Sequence, residues 1–179
     1  MSKITYQDRL NKFEEGWQRN GGSHCGTGSD VPRAQNAMKW IPMVAEKFDL
    51  KVINDAGGGD LNWIQHIDWD VDFQGYDIVP RHKDVIKLDI TKDLMRPCDL
   101  IICRQVFIHL SRENIKDALD LFRQSGKYLI STNYHTPNKT NDDALFWHVR
   151  LTDEEYGLGE PLLATPDTNG LNDLALWRL

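Results

Sequence analysis

The chain has 179 residues, of which 40% are hydrophobic and 27% charged, with a formal net charge of −6. That balance fits one globular domain with a real core and gives no global pull toward nucleic acid, so a nucleic-acid partner is not expected. No apolar run approaches the roughly 18 residues that span a bilayer, the N-terminus lacks an apolar signal core, and Cys25, Cys98 and Cys103 lack C-x-x-C spacing. A cytoplasmic protein with reduced thiols, no metal site and no membrane partner is the expectation.

Residues 4–17 carry Tyr6, Leu10, Phe13 and Trp17 at three-to-four spacing, which predicts a helix. Gly21 to Ser29 is a loop of small residues, and Pro32 then opens a second helix to about Phe48. Ala37, Trp40, Ile41, Val44 and Phe48 share one face of that helix, and Pro42 predicts a kink or an early break. Residues 1–48 thus form an N-terminal helical cap on an α/β core over 49–179, within one domain. In the core, strands are expected at 50–54, 71–76, 85–88, 99–103 and 127–132, with an alternating tail at 173–179 that ends the sheet. A short helix is expected over 61–67, and Ser111 reads as the N-cap of a helix over 112–124 whose stripe is Ile115, Ala118, Leu119 and Phe122. Alternating strands and helices predict a mostly parallel sheet. Residues 78–84 and 90–98 are too short for full crossover helices, so the helices after strands two and three are reduced. That predicts an uncovered sheet face, which a loop or a second copy in a homodimer would cover. Residues 136–170 are read as a polar lid or substrate wall.

The most informative stretch is Asn54-Asp55-Ala56-Gly57-Gly58-Gly59-Asp60, an apolar strand stopping in three glycines. Glycines let the backbone turn and leave room for a ligand. In doubly wound sheets, ligands bind outside the carboxyl ends of the strands, and Asp55, Asp77 and Asp89 sit where three such ends fall. Asp77 follows Gly57 by 20 residues, a spacing suited to a ribose diol. Asp89, with Ile90, is placed to read an adenine edge. Acids at strand ends and helix starts are also ordinary caps, which is the competing reading of each alone. The dinucleotide pattern G-x-G-x-x-G meets Asn62 at its third glycine, and Asp60 stands where a pyrophosphate would need a helix N-terminus. A carboxylate repels phosphate, so a cationic cofactor such as S-adenosylmethionine suits the loop better.

Together with Gly75-Tyr76-Asp77, Leu88-Asp89-Ile90, Cys98 to Arg104, Gly26-Thr27-Gly28-Ser29 and Arg104-Gln105-Val106-Phe107-Ile108-His109-Leu110-Ser111, this stretch resembles the class I S-adenosylmethionine-dependent methyltransferases, and within them a group of small single-domain members. The resemblance covers about residues 20–135, and the Leu176-Trp177-Arg178-Leu179 tail fits the final strand. It implies a Rossmann-like, doubly wound, mostly parallel sheet with an antiparallel C-terminal strand. It also implies a cofactor set: the backbone of Ala56, Gly57 and Gly58 with Asp55 and Asp60 at the methionine end, Asp77 and Ile78 at the ribose, Asp89 and Ile90 at the adenine, and Arg104, Gln105 and Val106 facing the sulfonium and the acceptor. Leu61 stands where many members have a third glycine.

Methyl transfer needs an in-line nucleophile and, for oxygen or nitrogen acceptors, often a general base. His109, His135 and Asp142 are candidates for the base; His109 also reads as a buried structural histidine. Asn133, Tyr134 and His135, expected in a loop after strand five, are candidate substrate-side residues. Arg104 would hold an anionic substrate group or pair with a nearby acid. The tryptophans fit a core, with Trp63 and Trp147 as alternative flanks of the cofactor or acceptor. The motif of DNA amino-methylating enzymes is absent after strand four, so the acceptor is expected to be a small molecule, a sugar or a peptide. The alternatives are a non-catalytic cofactor-binding or interaction module on the same fold, and an NAD-dependent enzyme.

Overall fold

The computed structural model describes residues 5–15, 22–136, 146–167 and 170–179. Asp142 and Trp17 lie outside them. Helix α1 spans Tyr6–Glu15, α2 Val31–Lys47 and α3 Arg112–Ser125. The strands are β1 Val52–Ala56, β2 Asp72–Asp77, β3 Val85–Lys87, β4 Cys98–Cys103, β5 Gly126–Tyr134, β6 Leu163–Pro166 and β7 Asn172–Arg178. They form one seven-stranded sheet in the order β3-β2-β1-β4-β5-β7-β6. β1 to β5 pair in parallel, and β7 and β6 run antiparallel at one edge. This is the expected Rossmann-like α/β architecture. Strand order reverses between β1 and β4, and their carboxyl ends open the crevice where doubly wound sheets place ligands.

A packed core lies on each face of the sheet. One face packs Ile53, Leu100, Ile102 and Ile130 against Ala34, Ala37, Ile41 and Val44 of α2. The other packs Ile101 and Leu129 against Ile115, Leu119 and Phe122 of α3. Ser111 caps α3 as its sequence suggests, its hydroxyl accepting from the Asn114 N–H at 3.2 Å. Helix α2 continues through Pro42 to Lys47 instead of breaking there. Proline removes one N–H, but the buried stripe on either side of it holds the helix to the sheet.

The chain departs from expectation where helices give way to loops. After β1 the expected 61–67 helix is a single 3-10 turn, Ile64–His66. Its neighbours Leu61, Trp63 and Ile64 are buried in the α2-side core, which closes the face that missing helices would have bared. The segment after β3 is covered in the same way, with Ile90 and Met95 in the α3-side core. Buried Asn54 donates to the Arg96 carbonyl at 2.8 Å and accepts from Arg96 Nε at 3.2 Å, stitching that segment to the sheet. The chain's own loops thus cover much of the face expected to be bare, while Ile86 on β3 stays 49% exposed. Two further boundaries differ. β5 runs on to Tyr134, so Asn133 and Tyr134 lie on a strand, and the region read as a lid contains edge strand β6.

Candidate functional site

A cavity of about 430 Å³ opens at the carboxyl ends of the parallel strands. The glycine loop forms its floor. Gly57 has φ +100°, and a Cβ there would stand 2.2 Å from Val106 Cγ2. Gly59 has φ +52°, and a Cβ there would stand 2.3 Å from Cys25 Sγ. Only glycine fits either position. The N–H groups of Gly57 and Gly58 donate to the Tyr76 carbonyl at 2.8 and 2.9 Å, and that of Gly59 to Asp77 Oδ2 at 3.0 Å. All three loop donors are thus engaged inside the protein.

Asp77 stands in the cavity wall and also accepts from the Val79 N–H at 2.8 Å. Burial raises its pKa, against the pull of those two N–H groups. Asp89 accepts from the Thr91 N–H and hydroxyl at 3.0 and 2.8 Å and pairs with Lys92 at 2.9 Å. Asp60 faces the entry loop, accepting from Ser23 Oγ at 2.8 Å and the His24 N–H at 2.9 Å. Asp55 is buried at 4% exposure and makes no side-chain hydrogen bond among the described residues. Burial, reinforced by Asp77 and opposed by Arg104, pushes its pKa up to about 7.

Arg104 is a structural bolt. It forms a bidentate pair with Asp167, both bonds at 3.0 Å, and the two side chains are 2% and 1% exposed. Its Nη1 donates to the Gly28 carbonyl at 2.6 Å, and its guanidinium lies over the Trp63 ring at 5.4 Å. That arrangement ties the entry loop and the β6–β7 edge to the end of β4. Arg104 thus has the acid partner that was one of its two sequence readings, and Trp63 lies in the core. Trp147 is likewise buried, its indole N–H donating to the Leu110 carbonyl at 2.7 Å. Gln105 sits at φ +60°, a left-handed conformation that costs a non-glycine residue on the order of 1–3 kcal/mol, with its N–H held by Thr132 Oγ1 at 2.9 Å.

Helix α1 roofs the cavity. Arg9 donates to the His109 carbonyl at 2.9 Å, and Arg81 donates to the carbonyls of Phe13 and Glu14 at the C-terminus of α1. A cation suits that end of a helix. Beneath the roof, Tyr134 stacks on His148 with centroids 4.1 Å apart, and Phe146 and His109 pack edge-on nearby.

Of the residues expected to bind cofactor, Gly57, Asp77, Ile78, Asp89, Ile90, Arg104, Gln105 and Val106 line the cavity; Asp55, Ala56, Gly58 and Asp60 do not. Of the expected catalytic residues, His109 and Tyr134 line it. His135 does not: half exposed, it pairs with Asp173 at 2.9 Å. His148 and Phe146, absent from the sequence expectation, do line it. Their signal was the alternation Phe146-Trp147-His148, which turns Trp147 inward and its neighbours toward the cavity. Among the described residues no cluster of potential metal ligands occurs, and no helix is long and apolar enough to cross a membrane.

No family model matches the chain, and no curated protein sequence does. Solved structures do. Magnesium protoporphyrin IX methyltransferase from Synechocystis PCC 6803, with bound SAH, superposes with a TM-score of 0.62 at 14% identity, covering 99% of this chain and 96% of its own. The methyltransferase domain of bacterial CtHen1-CN gives 0.58 at 14% identity over 82% of this chain and 100% of its own. TehB from Haemophilus influenzae gives 0.55 at 13% identity over 76% of this chain and 60% of its own. The chain has the class I methyltransferase fold.

Proposed function

We propose that the protein transfers a methyl group from S-adenosylmethionine to a small-molecule acceptor. The observation that carries this reading is the chemistry of the cavity floor. A dinucleotide needs free N–H donors for its pyrophosphate, usually at a helix N-terminus. Here the three glycine N–H groups are engaged and no α-helix follows the loop. What the site offers instead is carboxylate: Asp77 and Asp89 in the cavity wall, and Asp55 buried against the glycine loop. That set suits a ligand with a diol and a cationic end.

The cofactor would supply an electrophilic methyl group on its sulfonium. Asp77, whose oxygens keep lone pairs after their backbone bonds, would take the ribose hydroxyls. Ile78, Asp89 and Ile90 would bound the adenine. Asp55 would supply negative charge behind the glycine loop for the ammonium end, and Gln105 and Val106 would border the methyl group. On the acceptor side, Tyr134 is a wall more than a base. Its hydroxyl is hydrogen-bonded to Gln105 and Asn172, and burial raises its pKa. His148 and His109 are the imidazoles that line this end of the cavity.

Calorimetric titration with S-adenosylhomocysteine tests the reading. Micromolar binding, with none of NAD, is expected. A folded protein that binds neither S-adenosylmethionine nor its product would sink it.

A further inference from the structure

We infer that the acceptor is a planar aromatic molecule carrying a phenolic hydroxyl, with His148 taking its proton; this rests on the methyltransferase reading. Five rings line one end of the cavity: Phe13, His109, Tyr134, Phe146 and His148. They form one continuous array. Tyr134 and His148 lie parallel, 13° apart, while Phe146 stands at 82° to Tyr134 and 87° to His148. Phe13 meets His109 at 85° across 5.3 Å. Aromatic rings prefer these offset-stacked and edge-to-face contacts, and a flat ring extends such an array through both its face and its edge. A saturated ring of equal size offers only apolar area.

The array is not simply core. Phe146 is 48% exposed and Leu171, on the same rim, is 55% exposed, so apolar surface awaits cover at the cavity mouth. A volume of about 430 Å³ belongs to the lower half of small-molecule sites, which fits a cofactor with a small acceptor group.

His148 supplies the chemistry a phenol needs. Its Nδ1 is within 3.1 Å of Thr136 Oγ1, and the stack on Tyr134 fixes the ring plane. When Nδ1–H donates to Thr136, the Nε2 lone pair is left for the acceptor. The phenol O–H bond then breaks toward Nε2 as the oxygen forms its bond to the methyl carbon. The carbon–sulfur bond breaks with its electron pair staying on sulfur, giving a neutral thioether. The imidazolium later releases its proton to water.

The test uses the full chain saturated with S-adenosylhomocysteine, titrated with 2-naphthol and with its saturated counterpart decahydro-2-naphthol. We expect 2-naphthol to bind at least fivefold tighter. Phe146→Leu should weaken 2-naphthol roughly two- to tenfold, the loss of one aromatic pair. It should leave decahydro-2-naphthol and S-adenosylhomocysteine unchanged, and Phe146→Tyr should restore naphthol binding. With S-adenosylmethionine, His148→Gln should lower kcat for 2-naphthol by about 10²–10⁴, far beyond the roughly two- to tenfold loss of affinity that removing one ring brings. Equal binding of the two ring systems, or no naphthol binding while S-adenosylhomocysteine binds, overturns the inference and leaves the cofactor reading standing. If S-adenosylhomocysteine itself fails to bind the folded protein, the cofactor reading falls and the inference falls with it.

Discussion

Asp55→Asn should make this protein more stable and a worse binder at once. The carboxyl is buried at 4% exposure without a hydrogen-bond donor, and its pKa is pushed up from 3.8 to about 7 by burial and by Asp77. In the unfolded chain it ionises near pH 4, while in the folded chain it keeps its proton until about pH 7. The folded state therefore binds more protons between those values. Stability is fully present below pH 4, falls as pH rises toward 7, and stays low above. A shift of about three units corresponds to at most about 4 kcal/mol, at 1.36 kcal/mol per unit. Asparagine keeps the shape and removes the charge, so at pH 8 the variant should gain up to that amount, and at pH 4 it should match the parent. Urea unfolding at pH 4, 6 and 8 reads this directly through the midpoint, with an unchanged slope. Affinity for S-adenosylmethionine should fall at pH 8, since the variant removes negative charge behind the glycine loop that would favour the cationic end of the cofactor. A variant less stable than the parent at pH 8 would refute the reasoning, because it would show that the ionised carboxylate is held by favourable contacts.

Other perturbations follow from the same geometry. Gly57→Ala meets both the Val106 side chain and a left-handed φ, so it should destabilise by about 1–3 kcal/mol and abolish S-adenosylhomocysteine binding; Val106→Ala in the same chain should restore part of the stability. Asp167→Ala leaves Arg104 buried and unpaired, which should cost about 3–5 kcal/mol by chemical unfolding, whereas replacing both residues by apolar ones should cost less. Cys25 should resist thiol reagents at pH 8, because burial, reinforced by Asp60 and Asp77, pushes its pKa up to about 12; labelling as fast as that of a free thiol would contradict this.

What the sequence revealed and what it hid divide along contact range. The strand ends at Asp55, Asp77 and Asp89 were legible because each is a short apolar run stopping in an acid, a local signal. The glycine loop was legible for the same reason. Asp60 was read as a cofactor acid, but its partners Ser23 and His24 come from the entry loop, brought to it only by the fold. Arg104 and Asp167 are 63 residues apart, so their pairing left no local trace. The helix after β1 failed because Leu61, Trp63 and Ile64 fill the core from a turn, and periodicity cannot tell that from a short helix. Strand β6 is four residues long and ends in Pro166, features that suit a sheet edge and hide it from pattern reading. His148 was missed because its role depends on a stack with Tyr134, 14 residues earlier in the chain, that only the fold creates.

Whether the cavity at the ends of β1, β2 and β4 holds S-adenosylmethionine is decided by a crystal structure with S-adenosylhomocysteine. The ribose is expected on Asp77, the adenine between Ile78 and Ile90, and the sulfur beside Val106. A ligand bound elsewhere, or density confined to the aromatic end with those residues bare, would contradict that placement.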